Sequence, residues 1–291
     1  MNVIQQFEQY LVENGIAPKT IESYVGDVRG FAEYLAGLGM DDPADLKRFY
    51  VASYKNHLVE NNYAVATINK KINSLQAFNL FLIDRRLTDE QVVTLRKDRI
   101  KVAAGSEGEV EVFSEQEVNQ LLFFVQDRSR VSLRNQLIVH LLLYTGVRVS
   151  ELCGIRLSDL DFLTNTLRVT GKGGKYREIP LRPELAELIK EYVRTDRQKS
   201  KFTESPYLLV SQRAEKMHKD AVNTMLEALG RQLGLKMYPH KFRHTFCTRL
   251  LKKGVPLTTV SKLAGHAHIQ TTAHYYINTS KEEKEKAVRL L

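Results

Sequence analysis

The chain has 291 residues, enough for one large domain or for two ordinary ones of about 100 to 150 residues each. Its 43 Lys and Arg outnumber its 34 Asp and Glu, and the resulting net charge of +9 indicates an acidic partner. A hydrophobic content of 43% excludes collagen-like and low-complexity chains. Cys153 and Cys247 have no metal-ribbon or redox spacing, and the sequence has neither a signal-peptide pattern nor a membrane-length apolar run. We therefore expect a globular cytoplasmic protein.

The first part of the sequence predicts a four-helix domain over residues 1–98. Apolar residues at helical spacing predict one helix that stops at Asn14-Gly15 and a second that follows Pro18. Asp41-Asp42-Pro43 is expected to open the third helix, and residues 64–83 form the fourth. Small and polar residues then predict a linker over 99–111.

Residues 112–291 predict a second, mainly helical domain. Ser114 and Glu117 have the spacing of a capping box at a helix start. Two short β-prone runs, 166–170 and 176–181, flank a glycine-rich turn and predict a β-hairpin, with Pro180 on an edge strand. Further helices are expected at about 131–144, 150–153, 183–198, 218–233, 239–253, 256–264 and from Lys281 onward.

The basic excess is concentrated in this second part. Residues 1–100 carry 12 basic and 13 acidic side chains, whereas residues 165–253 carry 20 basic and 9 acidic ones. A run of charge is often only a solvated surface, so the charge alone does not define a site. Four motifs in and around this region contain residues that could bind phosphate or catalyse a reaction.

The first motif is TGVRVSEL, residues 145–152. Arg148 follows a glycine turn at a predicted helix start, where backbone donors favour a phosphate group. The alternative is a surface arginine paired with Glu151.

The second motif is the glycine-rich turn of the hairpin, residues 171–175. It resembles a nucleotide cradle, but the P-loop signature is absent and Tyr176 stands where Ser or Thr would be required. A mobile hairpin that reaches a lysine, Lys172 or Lys175, into a DNA groove fits the residues better.

The third and fourth motifs contain five of the eight histidines. His240, Arg243 and His244 share one face of a helix that begins at Pro239. A zinc site there lacks the glutamate of the HExxH motif and further ligands at suitable spacing. The string AGHAHIQTTAHYY, residues 264–276, adds paired tyrosines. Histidines with arginine and tyrosine on a basic surface indicate acid–base chemistry on phosphate.

The strings TGVRVSEL, GKGGKYREIPL, HKFRHTF and AGHAHIQTTAHYY occur in the order and spacing of the tyrosine recombinases. Across nearly its whole length the sequence resembles the phage integrase and Xer-like members of that family. The resemblance implies a mainly α fold with a small β-hairpin, arranged as a two-domain, C-shaped DNA clamp. Its parts would be a helical SAM-like core-binding domain, an α+β catalytic domain and a C-terminal exchange helix at about 280–291.

The resemblance also assigns residues to roles. Glu151 supports the site, and Tyr275 is the nucleophile because it lies nine residues after His266; the neighbouring Tyr276 is the alternative. The implied catalytic residues are Arg148, Lys172, His240, Arg243, His266 and Tyr275. The residues expected to contact DNA are Lys175, Arg177, Lys241 and His244, with Lys175 also a substitute for Lys172.

The implied activity is site-specific recombination of double-stranded DNA through a covalent 3′-phosphotyrosine and a Holliday junction, with no metal, nucleotide or other cofactor. Four protomers would assemble on two duplexes, with accessory DNA-bending or partner recombinase proteins as further candidates. Compact length favours a Xer-like or resolvase-like enzyme over a large phage integrase, and the task stays open among chromosome-dimer resolution, transposon cointegrate resolution and integration. The alternatives are a catalytically silent DNA-binding regulator and a metal-dependent nuclease that uses the histidine cluster.

Overall fold

The chain folds into two units, which a computed structural model describes over residues 2–40, 42–101, 110–171, 174, 176–266, 268–273 and 289. The units divide between Glu107 and Gly108, inside the segment predicted as the linker, and each has its own hydrophobic core. Helices dominate both units, and the sheet of the second unit is small, which confirms the predicted fold class. Within the described ranges, no helix combines the length and the apolar character that crossing a membrane requires.

The first unit is helical, and local signals set several of its boundaries. Asn2 and Gln5 form a reciprocal capping box at its first helix, and Pro18 occupies the first position of its second. Phe7 packs against Phe78 and Phe81 with ring centroids 5.3 and 5.4 Å apart at the centre of the core. The helices are α1 (Val3–Glu13), α2 (Pro18–Gly37), α3 (Arg48–Glu60), α4 (Val65–Asp84) and α5 (Leu95–Asp98).

The third helix begins later than the sequence predicts. The expected start at 41–43 is wrong, because α3 begins at Arg48. The Asp42 carboxylate accepts a hydrogen bond from the backbone N–H of Ala44 at 2.8 Å, so this helix-capping residue type closes a local turn instead. Short polar side chains satisfy turns and helix ends equally well, and their identity alone does not distinguish the two.

The second unit begins with a helix whose cap the sequence identifies correctly. Ser114 N donates to Glu117 Oε2 at 2.7 Å and Glu117 N donates to Ser114 Oγ at 3.1 Å, which confirms the capping box. The predicted helix from Lys281 lies outside the described residues. The elements are α6 (Glu115–Gln126), α7 (Leu133–Thr145), α8 (Val149–Gly154), β1 (Leu160–Asp161), β2 (Thr166–Thr170), β3 (Tyr176–Pro180), α9 (Pro183–Arg194), α10 (Lys219–Leu233), α11 (Pro239–Lys252), α12 (Leu257–Ala264) and α13 (Ile269–Ala273).

The central helix α7 is buried on nearly every side, as its continuous apolar run predicts. It packs against α9 and α11 and ends at Gly146, which adopts a left-handed conformation with φ of 61°. A Cβ atom at Gly146 would collide with the ring of Phe246. Glycine is therefore required there both by the backbone and by the close approach of α11.

The sheet has strand order β1-β2-β3, and both pairs are antiparallel. Leu167, Val169 and Ile179 point into the core while their neighbours face outward, so the hairpin shows the expected alternation. Pro180 lies in the edge strand β3, as predicted. The two-residue strand β1 was not predicted, because two residues carry no periodic signal.

Helix α9 is shorter than its predicted span of 183–198. It ends at Arg194, and the chain then turns so that the buried guanidinium of Arg197 donates to the carbonyls of Thr203, Ser205 and Tyr207. Arg197 therefore organises the following loop instead of extending the helix.

The start of the second unit is fastened to the region around α11. Glu111 accepts hydrogen bonds from Lys236 Nζ at 2.9 Å and from the Tyr238 hydroxyl at 2.8 Å. Two residues later, Phe113 N donates to Thr245 Oγ1 at 2.9 Å, and the Phe113 ring packs edge-on against a ring of α11. Backbone and side chains therefore fix the segment after the linker against one helix.

Candidate active site

The turn between α7 and α8 positions Arg148. Arg148 is the N-cap residue of α8, and Glu151 stands at the third position of that helix. Glu151 Oε2 accepts from Arg148 N at 2.8 Å, and Glu151 Oε1 accepts from Arg148 Nη1 at 2.9 Å. The ion pair between Arg148 and Glu151, which was the alternative interpretation of this motif, therefore exists. The Glu151 side chain is only 6% exposed, so this is not an ordinary surface ion pair.

Glu151 is ionised in this setting. Burial opposes its ionisation, but the hydrogen bonds from Arg177 and from the Arg148 backbone outweigh burial and hold the pKa of Glu151 below its ordinary value. A fixed negative charge therefore orients Arg148, whose guanidinium stays half-exposed. Arg148 Nη2 also donates to the carbonyl of Gly265 at 3.0 Å, which ties it to the turn that follows α12.

Arg243 faces the same place from α11. Its Nη1 donates to the carbonyl of Gly146 at 2.7 Å, whereas its Nη2 is buried and makes no hydrogen bond to the residues the structure describes. Burial, and then the charge of Arg148, lowers the pKa of Arg243 to about 10, so the guanidinium stays cationic at neutral pH. An anion that accepted a hydrogen bond from Nη2 would stabilise this buried cation.

His266 follows the left-handed Gly265 at the end of α12. Its Nδ1 lies 2.7 Å from the hydroxyl of Thr272, a fully buried residue of α13. Burial, and then the charges of Arg243, Arg148 and other neighbours, lowers the pKa of His266 to about 4. The imidazole is therefore neutral at pH 7 and carries one N–H donor.

His240 occupies the first turn of α11, three residues before Arg243. Partial burial and the charges of Arg243 and Arg148 hold the pKa of His240 below its ordinary value near 6.5. His240 is thus mainly neutral at pH 7 and can accept a proton. Arg243 bonds Gly146, two residues before Arg148, and Arg148 bonds Gly265, which precedes His266; these contacts bring the four predicted catalytic residues to one place.

Two of the residues expected to contact DNA lie inside the protein. Lys241 is 8% exposed, and its ammonium group sits 4.3 Å from the centre of the Phe113 ring. Arg177 is 13% exposed, and its guanidinium is bound to Glu151 and to the carbonyl of Leu263. A residue that contacts DNA is expected on the protein surface, and Lys241 and Arg177 are not on the surface. His244 is half-buried, with its ring 6.1 Å from that of His240.

Four sequence-derived candidates lie outside the described residues: Lys172, Lys175, Tyr275 and Tyr276. The described part of the site therefore consists of Arg148, Glu151, His240, Arg243 and His266, with two positioning contacts that the sequence did not reveal. Thr272 bonds His266 and the Gly146 carbonyl bonds Arg243. The only sequence signal for them is that each lies inside a motif already singled out.

Comparison with known proteins agrees with both units. Residues 111–283 match the family model described as "Phage integrase family", and residues 4–86 match "Phage integrase, N-terminal SAM-like domain". The chain is 31% identical over 293 residues to the TnP I resolvase of Bacillus thuringiensis, covering 100% of both chains. It is 32% identical to the tyrosine recombinase XerC of Pediococcus pentosaceus, covering 99% of this chain and 97% of the relative.

Solved structures share the fold. A XerH site-specific recombinase bound to difH substrate superposes with a TM-score of 0.74 at 20% identity, covering 98% of this chain and 84% of that one. The Tn1549 transposon integrase in complex with transposon right end DNA gives a TM-score of 0.77 at 21% identity, covering 100% and 99%. The chain belongs to the phage integrase family and is a tyrosine recombinase. Its class of activity is therefore site-specific recombination, the cleavage and rejoining of DNA strands.

Proposed function

We propose that this recombinase binds double-stranded DNA at specific sites and exchanges strands through a covalent 3′-phosphotyrosine on Tyr275 and a Holliday junction. The observation that carries the proposal is Arg243: a buried, protonated guanidinium whose Nη2 makes no hydrogen bond to the residues the structure describes, near the half-exposed Arg148. Two neighbouring arginines suit the nonbridging oxygens of a phosphodiester, whose charge grows in the transition state.

The remaining groups complete a balanced transesterification. A tyrosine hydroxyl ordinarily has a pKa of about 10 and attacks poorly unless a base takes its proton, which the neutral His240 is suited to do for Tyr275. The tyrosine oxygen forms a bond to phosphorus, and the bond to the 5′ oxygen of the next nucleotide breaks. Lys172 donates the proton that this leaving oxygen requires, and His266 donates its N–H to a nonbridging oxygen.

The phosphotyrosine keeps the energy of the phosphodiester, so a second strand's 5′ hydroxyl can reverse the reaction and rejoin the DNA. Neither ATP nor a metal ion has a part in this scheme. We place the enzyme on two duplexes as a tetramer whose protomers cut in turn. The similarity over full length to a TnP I resolvase and to XerC proteins supports resolution of transposon cointegrates or of chromosome dimers as its task.

Trapping of the covalent intermediate tests the proposal. A DNA site nicked next to the cleavage position releases a short fragment after attack, so the adduct accumulates and migrates slowly on a denaturing gel. We expect the adduct with the unmodified chain and with Tyr276→Phe, and none with Tyr275→Phe. An adduct that survives in Tyr275→Phe and disappears in Tyr276→Phe would transfer the nucleophile to Tyr276.

The same experiment separates the other classes of protein. A silent DNA-binding regulator shifts the site in a native gel and forms no adduct, which would overturn the proposal. A metal-dependent nuclease cleaves without a covalent band and loses its activity in EDTA. We expect EDTA to leave adduct formation unchanged.

A further inference from the structure

We propose that Arg177 is a positioning residue, which fixes Glu151 and the turn before His266 and thereby sets Arg148 and His266 for the reaction without contacting DNA itself. This inference rests on the proposed function, since it assigns a role in the same site. It replaces the role in DNA contact that the sequence suggested for Arg177.

The first step is the saturation of Glu151. Its Oε1 accepts from Arg148 Nη1 at 2.9 Å and from Arg177 Nη1 at 3.1 Å. Its Oε2 accepts from Arg148 N at 2.8 Å and from Arg177 Nη2 at 2.9 Å. Each oxygen therefore has one partner from each arginine, and the side chain of Glu151 cannot turn without breaking a bond to Arg177. Bidentate pairing of this kind gives geometric specificity as well as energy.

The second step is the contact with the end of α12. Arg177 Nε donates to the carbonyl of Leu263 at 2.7 Å, one of the last four carbonyls of that helix, which lack partners within it. A Cβ atom on Gly265 would lie 2.8 Å from Arg177 Nη1, so the guanidinium packs directly on the left-handed turn. Arg148 holds the Gly265 carbonyl of the same turn. Both arginines therefore contact Gly265, the residue that precedes His266.

The third step is the position of Arg177 in the sheet. It lies in β3, opposite Val169 of β2, in the strand that follows the glycine-rich segment containing Lys172 and Lys175. One side chain thus joins the hairpin, α8 and the end of α12. These elements carry or adjoin three of the groups assigned to the reaction.

The fourth step concerns charge. Arg148 and Arg177 share one carboxylate, so the cluster keeps a net positive charge that Arg148 can present to a phosphate. A neutral residue at 177 would leave Glu151 with Arg148 as its one charged hydrogen-bonding partner, and that pair would cancel. The loss should appear in the chemical step, where charge develops, more than in DNA binding.

The test separates binding from chemistry. The Kd for the DNA site is measured at several salt concentrations in a Tyr275→Phe background, and adduct formation is measured under single-turnover conditions with Tyr275 intact. For Arg177→Gln we expect an unchanged slope of log Kd against log salt and a rate lower by about 100-fold, as misplaced catalytic groups cause. The matched control is Arg128→Gln, which removes an exposed arginine paired with Glu191 and should alter neither quantity.

Contact with DNA predicts a different result. Loss of a phosphate contact weakens binding at every sequence and reduces the salt slope by about 1. Such a change in Arg177→Gln, or a rate equal to that of the unmodified chain, would overturn the inference. Absence of an adduct in the unmodified chain would instead overturn the proposed function, so the two failures are distinguishable.

Two further variants guard against misfolding. Arg177→Lys keeps the charge but cannot bridge both oxygens of Glu151 and the Leu263 carbonyl, so it should keep the salt slope and still lose rate. If Arg177 acts through Glu151, the losses in Arg177→Gln and Glu151→Gln should not add in the double variant. Additive losses would contradict the assignment.

Discussion

Arg243 donates from Nη1 to the carbonyl of Gly146 at 2.7 Å, across 97 positions of sequence. The bond joins the second turn of α11 to the left-handed residue that caps the C-terminus of α7, two residues before Arg148. It therefore uses one donor of Arg243 to fix the guanidinium, while Nη2, which has no hydrogen-bond partner among the described residues, is the donor that our proposal assigns to the phosphate. The geometry of the two arginines thus depends on both the glycine turn and the helix.

Replacement of Arg243 by lysine should separate these two tasks. Lysine keeps a positive charge but has no planar pair of donors, so it cannot hold Gly146 and a phosphate oxygen in the same arrangement. We expect a loss of about 100- to 1,000-fold in the single-turnover rate of adduct formation, as removal of a transition-state donor causes elsewhere. DNA affinity in a native gel should change little. A rate within a few-fold of the unmodified chain would exclude this role.

Substitution of Gly146 by alanine should destabilise the second unit more than the same change at Gly234. Both glycines have positive φ, 61° and 67°, so both variants suffer backbone strain of about 1 to 2 kcal/mol. Only at Gly146 would the new Cβ also meet the Phe246 ring; Gly234 has open space. Thermal unfolding followed by circular dichroism measures the difference, and equal losses in the two variants would contradict it.

The rate of adduct formation should fall on the acid side of pH 6.5. The pKa of His240 is held below its ordinary value near 6.5, so its base form persists at pH 7 and is lost only as the pH falls through that lowered pKa. Single-turnover rates between pH 5 and 8 test this prediction. His240→Gln should be slower and should lack this acid limb, and an identical limb in that variant would assign the titration to another group.

Thr272 should matter through its hydroxyl. The contact between the Thr272 hydroxyl and His266 Nδ1 fixes the orientation of the imidazole ring, which its low pKa of about 4 keeps neutral. Thr272→Val removes the bond at nearly constant volume, and we expect the rate to fall by about tenfold, the worth of one hydrogen bond. Thr272→Ser keeps a hydroxyl and should recover most of the rate. Equal rates in the two variants would show that the bond has no part in the reaction.

The sequence predicts those features that local chemistry determines. Ser114 with Glu117, Pro18 and the turn at Gly146 mark helix ends because each satisfies or terminates a backbone within a few residues. The hairpin follows in the same way from two β-prone runs around glycines. The family resemblance supplies the candidate catalytic residues, of which Arg148, His240, Arg243 and His266 come together in the fold.

What the sequence did not reveal depends on residues distant along the chain. Arg177 and Lys241 were expected at the DNA surface because a basic side chain in a basic region gives no sign of a buried partner. Their partners, Glu151 and Phe113, are 26 and 128 positions away. The predicted helix start at Asp42 was wrong for the opposite reason: the carboxylate of Asp42 bonds the backbone N–H of the nearby Ala44 and closes a turn instead of capping a helix. A sequence motif identifies which residue types can take part in the reaction, whereas tertiary packing determines which charged side chains are already paired inside the protein.

The fastening of Glu111 and Phe113 to the region of α11 has a practical meaning for protein engineering. These residues hold the first segment of the second unit beside the helix that carries His240 and Arg243. A change of chain length before Glu111 should therefore not shift that helix. Inserting or deleting residues within 102–109 should leave the positions of His240 and Arg243 unchanged. This stretch is accordingly the natural place at which to join the second unit to another domain.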